Sequence, residues 1–245
     1  MARSPARRPA RKAAGKKSAR TARGPAAATT EREKIVAAFL SLLAEKPFGT
    51  IGFPAIAKEA GVSLAALRGE FPSTLAILAA HIKATDRAVL AEDAGDMADE
   101  PARDRLADVL MRRLDVLAPH RAAVRSLLRS ARRDPPLALA LNALAVRSQR
   151  WMLNAAGISA SGPIGMLRAQ GLTVLFAAVL DTWTHDDERG QARTMAVLDR
   201  ALARGERFAG LLDDVCAVPA RLCRSRPRAR SRRRRGQGSG ETATA

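Results

Sequence analysis

From residue 30 onward, apolar positions in this chain recur at helical rather than strand spacing. Ile35, Val36, Phe39, Leu40 and Leu43 share one face of a first helix. Thr30-x-x-Glu33 in front of it is a capping box, which satisfies two free amides, and Pro47-Phe48-Gly49 closes it. A second helix is predicted from about Phe53 to Ala60. Gly52 takes its cap, Pro54 its first turn, and Ile56 and Ala57 face inward. Gly61 supplies a positive-φ turn residue, and Ser63 caps a third helix whose apolar edge is Leu64, Leu67 and Phe71. Pro72 marks its end. Three short helices, the last two joined by a tight glycine turn, make a helix-turn-helix bundle.

Past Pro72 the predicted helices lengthen. One runs from Ser73 to about Asp93 with Leu75, Leu78, Ile82 and Val89 inward, and an acidic stretch, EDAGDMADEP, ends it. Ala102 to Leu117 follows, carrying Leu106, Val109, Leu110 and Leu114, then His120 to Arg132. RRDPP reads as a turn, Leu137 to about Ala156 as a helix, and AGISASGPIG as a loop. Two last helices are expected from about Gly165 to Thr184 and from Gln191 to Leu212, the second with Met195, Leu198 and Leu202 on one stripe. No internal repeat appears, and the expected class is all-α.

Composition agrees. Apolar residues make up 47 % of the 245, enough for a sizeable core, while aromatics are only 3 % and Tyr is absent. Ala and Leu dominate, which favours helix over strand. The net charge of +18 matters once it is located. Residues 1–30 hold nine Lys or Arg and no acid, and residues 221–245 hold nine Arg against Glu241. Subtracting these from the totals of 42 and 24 leaves 24 basic and 23 acidic groups between them, a nearly neutral centre. Both tails are too polar and too simple to offset chain entropy and are expected to be disordered.

Other signals narrow the class. Cys216 and Cys223 suggest neither a disulfide framework nor a zinc site. No apolar run approaches the ~18 residues of a membrane span. The N-terminus lacks a secretory apolar stretch; it is Arg-rich and acid-free like a transit peptide, but Pro5, Pro9 and Gly15 interrupt any amphipathic helix there. His81 and His120 have no acid–Ser or Cys constellation, and there is no glycine-rich phosphate loop, so no enzyme and no cofactor is expected. His185-Asp186-Asp187-Glu188 is a weak metal candidate; its acids fit better as dipole partners of the last helix.

The stretch IAKEAGVSLAALRGEFPSTLAILAAHI, residues 56–82, resembles the TetR family of bacterial transcription regulators. The Ile-Ala pair, the Ala-Gly-Val-Ser turn, Leu67 and Phe71-Pro72-Ser73 carry the likeness. It implies a helix-turn-helix DNA-binding-like domain (30–72) and a helical effector-binding and dimerisation domain (73–217), between the basic tail (1–29) and the Arg-rich tail (218–245) that composition gives. It also implies a homodimeric, cytoplasmic, nucleoid-associated regulator with DNA as partner. The DNA-contacting candidates are Lys58, Ser63, Leu64, Ala65, Ala66, Arg68 and Thr74. Leu64, Ala65 and Ala66 suit thymine methyls, Arg68 is the foremost polar contact, and Lys58 a backbone one.

This sequence departs from the family where phosphate is usually held. Arg68 stands where Tyr is common, Glu70 where an aromatic or His precedes the Phe, Thr74 where Lys opens the fourth helix, and Gly52 where Ser or Thr caps the second. Residues 31–80 carry five cations and five anions. Glu70 would repel phosphate unless turned inward or paired, for example with Arg68. The tails are expected to offset this deficit by tracking phosphates; a nonspecific binder driven by tails alone is the weakest reading.

The segment LFAAVLDTWTHDDERGQARTMAVLDRALARGERF is similar to the end of a TetR-fold lipid-binding accessory family of ubiquinone biosynthesis. That likeness implies a lost DNA function, an isoprenoid lipid in the C-terminal bundle, and tails on anionic membrane. Under either likeness a small hydrophobic effector or lipid occupies the bundle, with Gln149, Trp151, Gln170, Thr173 and Trp183 as pocket candidates, beside Asn154. Leu172, Leu175, Val179, Leu198 and Leu202 are candidate dimer contacts, with ordinary core as their default role.

Overall fold

Local chemistry sets where the helices begin and end. The structure, a computed structural model, describes residues 30–91, 97, 99–187 and 190–207. The basic tails, Cys216, Cys223, Glu188 and the expected end of the last helix at Leu212 lie outside these residues. The chain is all-α: α1 (Glu31–Glu45), a 3-10 turn (Phe48–Thr50), α2 (Phe53–Ala60), α3 (Leu64–Glu70), α4 (Thr74–Ala91) and α5 (Ala102–Leu117) come first. A second 3-10 turn (Ala118–His120), α6 (Arg121–Ala131), α7 (Pro135–Ala155) and α8 (Gly162–Trp183) follow. A helix from 192, described to 207, is α9.

The Thr30–Glu33 capping box forms in full: Thr30 Oγ1 accepts from the Glu33 amide at 3.2 Å, and Glu33 Oε2 accepts from the Thr30 amide at 2.9 Å. Two starts differ from the sequence reading. Arg132 and Arg133 of RRDPP form the expected turn, but the helix starts before Leu137: Asp134 caps α7 through the Leu137 amide at 3.0 Å, and Pro135 and Pro136 occupy its first turn. Likewise Gly162 and Pro163 open α8 instead of belonging to the loop. Proline fits a first turn because its missing amide would be unpaired there anyway.

Two apolar cores run along the molecule. The first joins Ile35, Phe39 and Leu43 of α1 to Ile56, Leu67 and Phe71, with Ile77 and Leu78 of α4 and Ala123 of α6. The second holds Val89 of α4 with Leu106, Leu110 and Leu114 of α5, Met152 and Leu153 of α7, and Leu172, Phe176 and Val179 of α8. Thus α4 contributes to both.

α8 corrects one expectation. It has 22 residues, and an 18-residue stretch of it has mean hydropathy 1.5, long and apolar enough to cross a membrane. Arg168, Gln170 and Thr173 interrupt every run, but its average stays high. Its inner face (Ala169, Leu172, Phe176, Val179 and Trp183) packs in the second core.

Candidate nucleic-acid interface

The α2–α3 turn is built by two residues. Gly61 takes φ +66°, the left-handed region that a side chain disfavours, and the Val62 amide closes the turn on the Ala57 carbonyl at 3.0 Å. Ser63 Oγ then accepts from the Ala66 amide at 3.1 Å, starting α3. Leu67 and Phe71, both buried, pin α3 against α1, α2 and α4. That anchoring turns Leu64, Ala65 and Arg68 outward as exposed residues, with Leu64 at 52 % exposure. Lys58 on α2 is exposed, Ser63 is exposed with its hydroxyl spent on the cap, and Ala66 is half-buried. Thr74 is half-buried in the first turn of α4, where Ser73 Oγ accepts from the Ala76 amide at 3.1 Å.

Glu70 is paired, but not with Arg68. Arg32 Nη1, from the first turn of α1, lies 3.1 Å from Glu70 Oε2 and donates to the Glu70 carbonyl at 3.2 Å, with its guanidinium 4.3 Å from the centre of the Phe71 ring. Arg68 lies two positions from Glu70 on the same helix, and residues two apart do not face each other. Helix packing supplies the partner instead, and the carboxylate's charge is matched beside the outward face of α3.

α6 links this module to the rest of the protein, a role the sequence reading did not assign. Ser126 Oγ donates to the Lys46 carbonyl at 2.9 Å, and the Phe48 amide donates to Ser130 Oγ at 3.1 Å. From the other side of α6, Arg121 donates to the Trp183 and Asp186 carbonyls and Arg125 to that of Thr184, while Arg132 meets Asp181 at 2.6 Å. Arg121 and Arg125 thus add donors to carbonyls at and just beyond the C-terminal end of α8, and Arg132 adds an ion pair to its last turn. The Arg121–Arg125 spacing of four was the available signal.

None of the expected pocket residues lines the cavity found beside α8. Trp151 is 56 % exposed on the outside of α7, and Asn154 is exposed too. Gln170 and Asn142 exchange hydrogen bonds at 2.9 and 3.0 Å, and Thr173 Oγ1 donates to the Ala169 carbonyl at 2.8 Å. Trp183 is buried with Arg121 5.3 Å from its ring centre, and Gln149 is buried with Oε1 unpartnered. A cavity of about 730 Å³ lies elsewhere, between α5, the 157–159 loop, α8 and α9.

The dimer candidates take the ordinary core role that was their default. Leu172, Val179, Leu198 and Leu202 are buried within the chain's own core, and Leu175 packs against it. The strongest apolar stripe marks a helix's core side; Met166, Leu167 and Val174 are exposed off that stripe, whereas Met195, expected on it with Leu198 and Leu202, is 53 % exposed. Asp186 is buried and accepts from the Thr194 amide at 2.9 Å and hydroxyl at 2.7 Å, so it fastens the start of α9.

Two polar pairings were not anticipated from the sequence, a buried one around Asp86 and a half-buried one between His81 and His120. Asp86 Oδ1 receives Arg113 Nη1 and Ser148 Oγ, each at 2.6 Å. The His81 and His120 rings meet edge to face at 5.1 Å. Burial, then the charges of His120 and Arg113, lower the His81 pKa to about 4; burial also lowers that of His120.

No protein-family model matches the chain, and no curated protein matches it. Solved structures do. A TetR transcriptional regulator from Nitrosomonas europaea aligns over 72 % of this chain and 98 % of its own, with TM-score 0.56 and 23 % identity. One from Rhodococcus sp. RHA1 aligns over 71 % and 95 %, with TM-score 0.52 and 22 % identity. A further TetR-family protein from Rhodococcus aligns over 71 % and 97 %, with TM-score 0.51 and 22 % identity. The chain therefore has the fold of the TetR transcriptional regulators.

Proposed function

We propose that this protein is a DNA-binding transcriptional regulator of the bacterial cytoplasm that docks α3 in the major groove. The observation that carries the reading is the split of α3 into a buried edge, Leu67 and Phe71, and an exposed face, Leu64, Ala65 and Arg68. A helix so anchored presents fixed side chains to base edges. Arg68 supplies a bidentate donor, and Leu64 and Ala65 offer apolar contact to thymine methyls. Pairing of Glu70 with Arg32 supports the same reading, because it lowers the repulsion that an unmatched carboxylate would exert on phosphate.

The rest of the assignment follows from charge and apolar surface. The basic tails add phosphate contacts without base readout. Exposed Met166, Val174 and Met195 favour a homodimer joined through α8 and α9, which would set two recognition helices at a fixed spacing. The cavity beside α8 is the effector site, and its occupancy shifts that spacing. The reading leaves catalysis no role.

Selection of genomic fragments by the full chain at moderate salt tests this. Wild type should enrich a defined sequence, and the double variant L64E/R68A, with both tails intact, should lose that selectivity. Selectivity that survives the double variant overturns the reading. A lipid-carrying accessory role on the same fold is favoured by the apolar cavity alone. It requires lipid to co-purify with the chain and no fragment to be enriched.

A further inference from the structure

The cavity beside α8 has an apolar floor and a cationic rim. Leu106, Leu153, Leu172 and Leu202, all buried, form its base. Gly171, in the middle of α8, lies on its wall, and a Cβ there would meet no atom within 4 Å. Glycine inside a helix is unfavourable relative to alanine, and here its missing side chain adds depth to the cavity. The volume, about 730 Å³, falls within the range of about 300–1,000 Å³ typical of small-molecule sites.

The charged residues at the rim are Arg103, Arg168, Arg204 and Glu206. Arg103 is committed to Asp199 at 2.5 Å and lies 4.0 Å from Glu206, which matches the rim's acid. Arg168 donates to the Ser159 carbonyl at 3.4 Å. Arg204 is exposed and makes no hydrogen bond or ion pair among the described residues. An apolar floor below a guanidinium unengaged among the described residues fits a molecule with one long hydrocarbon arm and one anionic end. A neutral hydrocarbon would leave the rim's excess positive charge unused, and a small polar anion would leave the leucines uncovered.

We propose that this cavity binds a single-chain amphiphile with an anionic headgroup, a long-chain carboxylate in the simplest case, its chain on the leucine floor and its head at Arg204. The assignment deepens the effector part of the proposed function and rests on that reading only for its consequence at DNA.

Calorimetric titration of the full chain, without DNA and below micellar concentrations, tests the site. Saturated carboxylates from decanoate to palmitate should tighten about fourfold per added methylene until the cavity is filled. Palmitate should bind at least tenfold more tightly than hexadecanol. G171F should weaken both at least tenfold, with G171L as a second, more helix-favouring obstruction. R204Q should bring palmitate close to hexadecanol while leaving hexadecanol unchanged. Failure of palmitate to bind overturns the proposal, and so does palmitate binding that both Gly171 variants leave intact, since the ligand would then sit on the basic tails. Equal affinity for palmitate and hexadecanol overturns the headgroup assignment. Because DNA is absent, failure of this site leaves the regulator reading standing, and failure of fragment selection leaves this site standing.

Discussion

Arg32 in the first turn of α1 and Glu70 in the last turn of α3 sit 3.1 Å apart, and the same guanidinium lies over the ring of Phe71. One side chain thus matches the charge of Glu70 and covers the residue that anchors α3. Both partners are well exposed, at 51 % and 39 % of their side chains, so the ion pair contributes little to stability. R32A should cost less than about 1 kcal/mol in thermal unfolding. Its larger effect is expected at DNA, where it frees a carboxylate close to phosphate. R32A should weaken operator binding, and R32A/E70Q should recover most of the loss. A double variant no better than R32A would show that Arg32 acts on DNA directly.

Arg68 is exposed on the outward face of α3. R68A should leave stability within about 0.5 kcal/mol, as surface substitutions usually do. Operator affinity should fall about tenfold to a hundredfold, the range for a lost bidentate base contact. Mobility shifts on specific and scrambled duplexes check it: the loss should be confined to the specific one.

Asp86 and Arg113 form a buried pair with Ser148 completing it. Burial lowers the Arg113 pKa, while the charge and hydrogen bond of Asp86 push it back up. D86A removes that support and leaves a guanidinium buried without its counter-ion, which costs about 3–5 kcal/mol. Urea denaturation should show the midpoint falling with little change in slope.

His81 carries a pH dependence of stability. Its pKa in the fold, about 4, lies below the ordinary value of 6.5, so the unfolded chain binds more protons between those limits. Its neutral form stabilises the fold fully above pH 6.5, and the contribution is lost as pH falls toward 4. The shift corresponds to up to about 3 kcal/mol. H81F should flatten the decline of Tm between pH 6.5 and 4. An unchanged slope would assign the acid sensitivity to carboxylates instead.

Gly165 and Gly171 lie on one helix and should respond in opposite ways. A Cβ at Gly165 would fall 2.1 Å from the carbonyl carbon of Ala160, so the α7–α8 loop must move. G165A should cost about 1–3 kcal/mol or more, as overpacking does. G171A meets open space and should stabilise by about 0.5–1 kcal/mol through helix propensity. Equilibrium unfolding of the two variants gives both signs.

Features that depend on near neighbours in the chain were legible in the sequence. Thr30 with Glu33, Gly61 and Ser63 act within four residues of themselves, and α2 and α5 run between the residues where periodicity and punctuation placed them. The inward set of the helix-turn-helix, Ile56, Leu67 and Phe71, was legible for the same reason. Periodicity says which face is buried but not what covers it. Leu172, Val179 and Leu198 lie on such a face, and only packing decided that their cover is the chain's own core.

Sequence alone therefore determined the helical class, the helix-turn-helix and the placement of excess charge in the tails, since each follows from local chemistry or composition. Tertiary structure decided that Arg32 matches Glu70, that α6 ties the first module to the end of α8, and that the large cavity lies among α5, α8 and α9 rather than around Trp151 and Trp183. Those relationships join residues tens of positions apart, and their partners are set by how the helices cross, which spacing along one helix does not encode.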